Sequence, residues 1–99
     1  MAKVKSKNIN DFNKEELEKL AAEGQLVDVR SKIETFFGKI KGSIHHPVNR
    51  IQTFEEPKSK TYYVYCQSGQ RSLMACQTLA NKGYKVVNLT GGFGSFKNK

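Results

Sequence analysis

The residues best placed to do chemistry lie in one stretch, Tyr62 to Arg71 (Y-Y-V-Y-C-Q-S-G-Q-R), where Cys66 follows an apolar run and opens a short polar loop. A cysteine becomes a nucleophile as the thiolate, and backbone amides, a helix N-terminus and a nearby cation all favour that form. Gly69 lets the chain curl tightly, so the amides of Gln67, Ser68, Gly69, Gln70 and Arg71 can turn inward as an anion-binding cup with Cys66 at its rim. The Arg71 guanidinium and the start of the following helix add positive charge. Ser68 and Ser72 offer hydroxyl donors to a bound anion, or brace the loop and cap the helix. A small buried cysteine ending a strand is the plainer reading of Cys66. Such a thiol needs neither the glycine turn, nor the arginine, nor the helix start, and here all three follow it.

The flanking segments must supply a strand before the cysteine and a helix after it. Thr61 to Tyr65 is β-branched and aromatic, as suits a strand buried on both faces. From Ser72, the spacing of Leu73, Cys76, Leu79 and Ala80 predicts a helix with these side chains inward, stopped at Gly83. Upstream, Val4 to Ile9 reads as an edge strand or arm. Asn13 and Glu16 form a capping signature for a helix carrying Leu17, Leu20 and Ala21 and ending at Gly24. Leu26 to Arg30 is a short strand whose Asp28 and Arg30 either reach the pocket or pair to fix the strand end. Ile33, Phe36, Phe37 and Ile40 fit a short helix broken by Gly38. Ser43 to His45 fits another strand, Asn49 to Phe54 a helical turn, and Lys85 to Leu89 the last strand, with Phe93 and Phe96 packing a terminal segment. Strands alternating with helices predict a mainly parallel sheet covered on both faces.

With 99 residues, the chain reads as one domain over residues 1–99, with 1–9 as its arm or edge strand. No apolar run is long enough to cross a bilayer, and the charged N-terminal residues lack the apolar core of a secretion signal, so no membrane role and a cytoplasmic site are expected. Two cysteines in such a compartment are expected as free thiols, Cys76 as packing. His45 and His46 are adjacent, so on a strand they face opposite ways and make no metal site; one of them, His45, is the candidate to line the pocket, and packing or turn hydrogen bonding is the alternative. The net charge of +8 is scattered and lacks the interleaved aromatics of a nucleic-acid platform, which argues against nucleic acid. It is a solvated surface, or it steers anionic substrates or an acidic partner to the site.

Several motifs in order resemble those of a single-domain rhodanese, a member of the sulfurtransferase family. They are L-V-D-V-R (Leu26 to Arg30), Glu34 four residues after the arginine, G-x-I-x-G (Gly38 to Gly42), V-Y-C-Q-S-G-Q-R-S (Val64 to Ser72), K-G-Y (Lys82 to Tyr84) and N-L-T-G-G (Asn88 to Gly92). The resemblance runs from about Leu17 to Phe96. It implies a three-layer α/β fold with a five-stranded, mainly parallel sheet, and makes Cys66 the sulfur carrier as a persulfide. Lys39 stands where relatives often have His, Thr35 where they have Tyr or Phe, Phe96 where they have Trp, and Gln67 and Gln70 where basic residues are common.

The expected chemistry is a two-step transfer that needs no cofactor. Cys66 takes a sulfane sulfur from thiosulfate or a persulfide, and a thiol, cyanide or a protein partner in a sulfur relay then removes it. A Cys-dependent phosphatase or arsenate reductase is the enzymatic alternative, but such sites use a longer loop than the four residues between Cys66 and Arg71. A non-catalytic binding or regulatory module is the other.

Overall fold

A computed structural model describes residues 4–97. Five strands form one sheet: β1 (Lys5–Asn8), β2 (Leu26–Asp28), β3 (Ile44–His45), β4 (Thr61–Tyr65) and β5 (Lys85–Thr90), in the order β1-β5-β4-β2-β3. All four pairings are parallel. Four helices accompany them, α1 (Lys14–Ala22), α2 (Lys32–Phe36), α3 (Gln70–Asn81) and the single-turn α4 (Gly92–Ser95), with 3₁₀ turns at Ile9–Asp11 and Val48–Thr53. Met1 to Lys3 of the expected arm lie outside the described residues; Lys5 to Asn8 are the edge strand.

The period of two along each strand divides the core between the faces. Val27, Val29, Tyr62, Val64 and Val86 face α3 and its buried Ala75, Cys76 and Leu79. Leu26, Tyr65, Val87 and Leu89 face α1, packing with Leu17, Ala21, Ile40 and Phe96. Phe54, Tyr62 and Tyr84 meet edge to face, which closes the end of the sheet opposite the Cys66 loop.

Strands β4 and β2 are neighbours, yet the chain leaves β4 for β5 on one side and β2 for β3 on the other. A crevice opens beyond strand C-termini where connections diverge in this way. Asp28 lies level with Tyr65, so Cys66 and Arg30 leave the sheet side by side.

Three local expectations are corrected. Helix α3 begins at Gln70, not Ser72, because Gly69 takes the left-handed backbone (φ +102°) that starts it. Ser72, Ala75, Cys76 and Leu79 face inward, and Leu73 lies on the exposed side. Helix α2 does form, with a Ser31–Glu34 capping box, but Ile33, Phe36 and Phe37 all point to solvent; of the four apolar residues only Ile40 is core. The capping box of Asn13 with Glu16 starts α1 as its sequence predicts.

The register of α3 is directly testable by truncation. Leu79→Ala is expected to cost about 2–5 kcal/mol of stability in urea unfolding, and Leu73→Ala less than about 0.5 kcal/mol. Equal losses would contradict the described register.

Candidate active site

Cys66 follows the last residue of β4, and its backbone is tied down from the far side of the crevice. The Phe93 amide donates to the Cys66 carbonyl at 2.8 Å and the Gly94 amide to the Gln67 carbonyl at 2.9 Å. So close an approach requires Gly92. A Cβ there would lie 2.5 Å from the carbonyl carbon of Gln67, and the residue also has positive φ.

With the loop pinned, the sulfur lies on the floor of the cup rather than at its rim, and Cys66 is fully buried. The Gly69 amide donates to Sγ at 3.0 Å, and the Ser72 Oγ lies 3.4 Å away. Burial pushes the Cys66 thiol up, but hydrogen bonds from the Ser72 hydroxyl and from the amides of Ser72, Gly69 and Ser68 outweigh it, so the net direction is down. The Ser72 hydroxyl was an expected donor, and its amide extends the expected run of amides by one residue past Arg71. Cys76 has no such donors, and burial, then the charge of Cys66, pushes it up to about 12. Both cysteines are free.

Arg71 is engaged elsewhere. Its guanidinium makes a two-pronged ion pair with Glu34, at 2.6 and 2.7 Å, which joins the first turn of α3 to α2. This pair and the α2 capping contacts hold the Glu34 carboxyl at about 2. Arg71 thus positions the wall of the cup, and its charge is partly neutralised before any anion arrives.

Asp28 and Arg30 form a buried fork, with Arg30 Nη2 2.8 Å from Asp28 Oδ2 and Nε 3.1 Å from Oδ1. The remaining Arg30 donors reach the Gly38 carbonyl at 2.6 Å and Gln67 Oε1 at 3.2 Å, and its guanidinium lies over the Phe93 ring. The structure shows the strand-end clamp, extended to hold the Gln67 side chain, and Arg30, unlike Asp28, also lines the cleft beside the loop. His45 donates from Nε2 to the Arg30 carbonyl at 2.7 Å, bracing that clamp rather than lining the cleft; a carbonyl accepts only, which fixes the tautomer. Ser68 contributes its amide to the sulfur, and the Gln70 side chain is exposed on the first turn of α3. A shallow cleft lined by Arg30, Ile33, Glu34, Phe37, Gln67 and Phe93 opens beside the loop.

Two groups with a place at this site had no site role in the sequence reading. Glu34 was legible only as a spaced acid after Arg30. Asn88, in β5, accepts the Ser72 hydroxyl at 2.5 Å and donates to the Gly69 carbonyl at 3.3 Å. A polar residue at an inward-facing strand position was the available signal. Among the described residues no group of His, Cys, Asp or Glu could hold a metal ion, and no helix is long and apolar enough to cross a membrane.

Residues 13–99 match the rhodanese-like domain family. The chain belongs to that family. It is 36% identical over 90 residues to a sulfurtransferase of Allochromatium vinosum, covering 85% of this chain and 84% of that one. A putative sulfurtransferase of Bacillus subtilis is 37% identical over 79 residues, covering 76% and 77%. Among solved structures, a rhodanese-like domain protein from Staphylococcus aureus superposes with a TM-score of 0.76 at 29% identity, over 97% of this chain and 94% of that one. The five-stranded sheet with helices on both faces is thus the rhodanese fold.

Two predictions concern how this rhodanese-like loop is held. Left-handed backbone alone costs a non-glycine residue roughly 1–2 kcal/mol. Gly83→Ala should lose about that much in urea unfolding, and Gly92→Ala clearly more, because its Cβ also overlaps the loop backbone; equal losses would refute the close approach. A carboxyl depressed in the folded state adds stability above its unfolded value and loses it as pH falls. The stability difference between wild type and Glu34→Gln should therefore be full above the ordinary carboxyl value of about 4.5 and shrink as pH falls toward about 2. A difference independent of pH across that range would contradict the ion pair.

Proposed function

We propose that this rhodanese-like protein transfers sulfane sulfur through a persulfide on Cys66. The observation that carries this reading is a buried cysteine sulfur ringed by amide and hydroxyl donors at the start of α3. The Cys66 thiolate attacks the outer sulfur of a small anionic donor such as thiosulfate. A new S–S bond forms at Sγ, the donor's S–S bond breaks, and its electron pair leaves with sulfite. The product is a Cys66 persulfide carrying one negative charge, and the loop donors stabilise that charge as an oxyanion hole would. A persulfide donor reacts in the same way with a thiolate leaving. A thiol, cyanide or protein thiol then attacks the outer sulfur and restores the Cys66 thiolate.

A net charge of +8 favours the approach of anionic donors. Exposed Ile33 and Phe37 line the cleft, with the exposed Phe36 ring packed edge-on against Phe37, and support a protein as one acceptor, so a relay role is part of the proposal. Free, buried thiols suit a reducing compartment such as the cytoplasm.

Intact-mass spectrometry tests this reading. Wild type treated with thiosulfate, or with glutathione persulfide, should gain one sulfur that cyanide removes, and Cys66→Ser should gain none. Absence of the adduct on wild type with both donors would overturn sulfur transfer and favour a binding module.

A further inference from the structure

The Ser72 hydroxyl has one proton and two claimants. The buried Ser72 side chain lies 3.4 Å from Cys66 Sγ and 2.5 Å from Asn88 Oδ1. The Asn88 amide is fixed in orientation: its Nδ2 faces the Gly69 carbonyl at 3.3 Å, and since a carbonyl only accepts, the Oδ1 must face Ser72. While Cys66 is a thiol, both contacts are satisfied, with S–H donating to Ser72 Oγ and Ser72 O–H donating to Asn88. When Cys66 is a thiolate, the sulfur needs a donor, and Ser72 can serve it only by turning away from Asn88, whose buried Oδ1 then loses its partner.

The persulfide restores the first arrangement. Its Sγ is an uncharged divalent sulfur and the charge sits on the terminal sulfur, so the hydroxyl can return to Asn88. Of the three states of Cys66, only the thiolate breaks the Ser72–Asn88 bond.

We propose that Asn88 is a positioning residue that competes with the Cys66 sulfur for the Ser72 proton, restraining the empty thiolate and favouring the sulfur-loaded state. Its bearing on loading rests on the sulfur-transfer reading above; the competition itself does not. The charged and titratable groups around Cys66 do not supply this control. From α3 come Arg71, already paired with Glu34 of α2, and Cys76, a thiol that burial keeps neutral. From β2 come Asp28 and Arg30, paired with each other. Strand β5 contributes Asn88, which carries no charge.

The test is the pH dependence of iodoacetamide alkylation at Cys66, read by peptide mass spectrometry, in wild type, Asn88→Ala, Ser72→Ala and the double variant. Releasing the hydroxyl to the sulfur should move the midpoint of Asn88→Ala down by about half to one pH unit, a gain of about three- to tenfold in rate below the midpoint. Ser72→Ala should move it up, and adding Asn88→Ala to Ser72→Ala should change nothing further. Asn88→Asp keeps the shape and should move the midpoint up by more when Ser72 is present than in the Ser72→Ala background, where only its added negative charge acts; this pair still decides the question if Asn88→Ala does not fold. A downward shift from Asn88→Ala of the same size with and without Ser72, or an upward shift from Asn88→Asp no larger with Ser72 than without it, would overturn the proposal. Alkylation reads the thiol whether or not sulfur is transferred, so loading by thiosulfate in the same variants reports separately. If the proposal holds, Asn88→Ala loads faster below the wild-type midpoint.

Discussion

A charge removed from water must be solvated by the protein, and the Cys66 sulfur meets this constraint within six residues of chain. Burial by itself favours the neutral thiol. The Gly69 amide at 3.0 Å, with the Ser68 and Ser72 donors, reverses that balance. The backbone amides are well suited to the task because, unlike the Ser72 hydroxyl, they need no reorganisation as charge moves from Sγ to an attached sulfur. Cys76 is the internal control: it lies in the same core, without the donors, and its thiol is driven the other way.

Much of the remaining structure keeps those few amides aimed. Gly69 permits the turn, and the amides of Phe93 and Gly94 clasp the loop from the other side across Gly92. Asp28 and Arg30 tie β2 to Gln67 and to the Gly38 carbonyl, while the Tyr65 hydroxyl accepts the Ile40 amide and so steadies that neighbouring turn. Glu34 and Arg71 join α2 to α3. The divergence of the chain at β4 and β2 brings all of these to one end of the sheet. Charged groups in this ring are paired with one another, which leaves neutral donors to face the sulfur.

The sheet and the cysteine loop were legible because they rest on local patterns. Thr61 to Tyr65 could only be a buried strand, the Asn13 box marked a helix start, and a cysteine followed by a glycine turn and an arginine described a cup. What could not be read depended on contacts between distant segments. Arg71 pairs with a residue 37 positions away, and no local pattern tells whether an arginine faces an anion or an acid of its own chain. The burial of Cys66 comes from its place in the core beside Val27, Val29 and Ala75, and the tethering of its backbone from the Gly92 segment. Leu73 and the α2 aromatics were misplaced because helical spacing gives a face without saying what covers it; the buried stripe of α3 is centred on Ser72, Ala75, Cys76 and Leu79, and Leu73 lies off it.

The central claim is that the fold itself lowers the pH at which Cys66 ionises, and a thiolate titration at 240 nm tests it most directly. Native protein should show a midpoint below that of the same chain unfolded in urea, where a cysteine ionises at about 8.5. Cys76 contributes nothing to the native signal below about pH 10, since it is held near 12. A native midpoint equal to or above the unfolded one would contradict the account, because the buried sulfur would then lack the donors that the loop is described as providing.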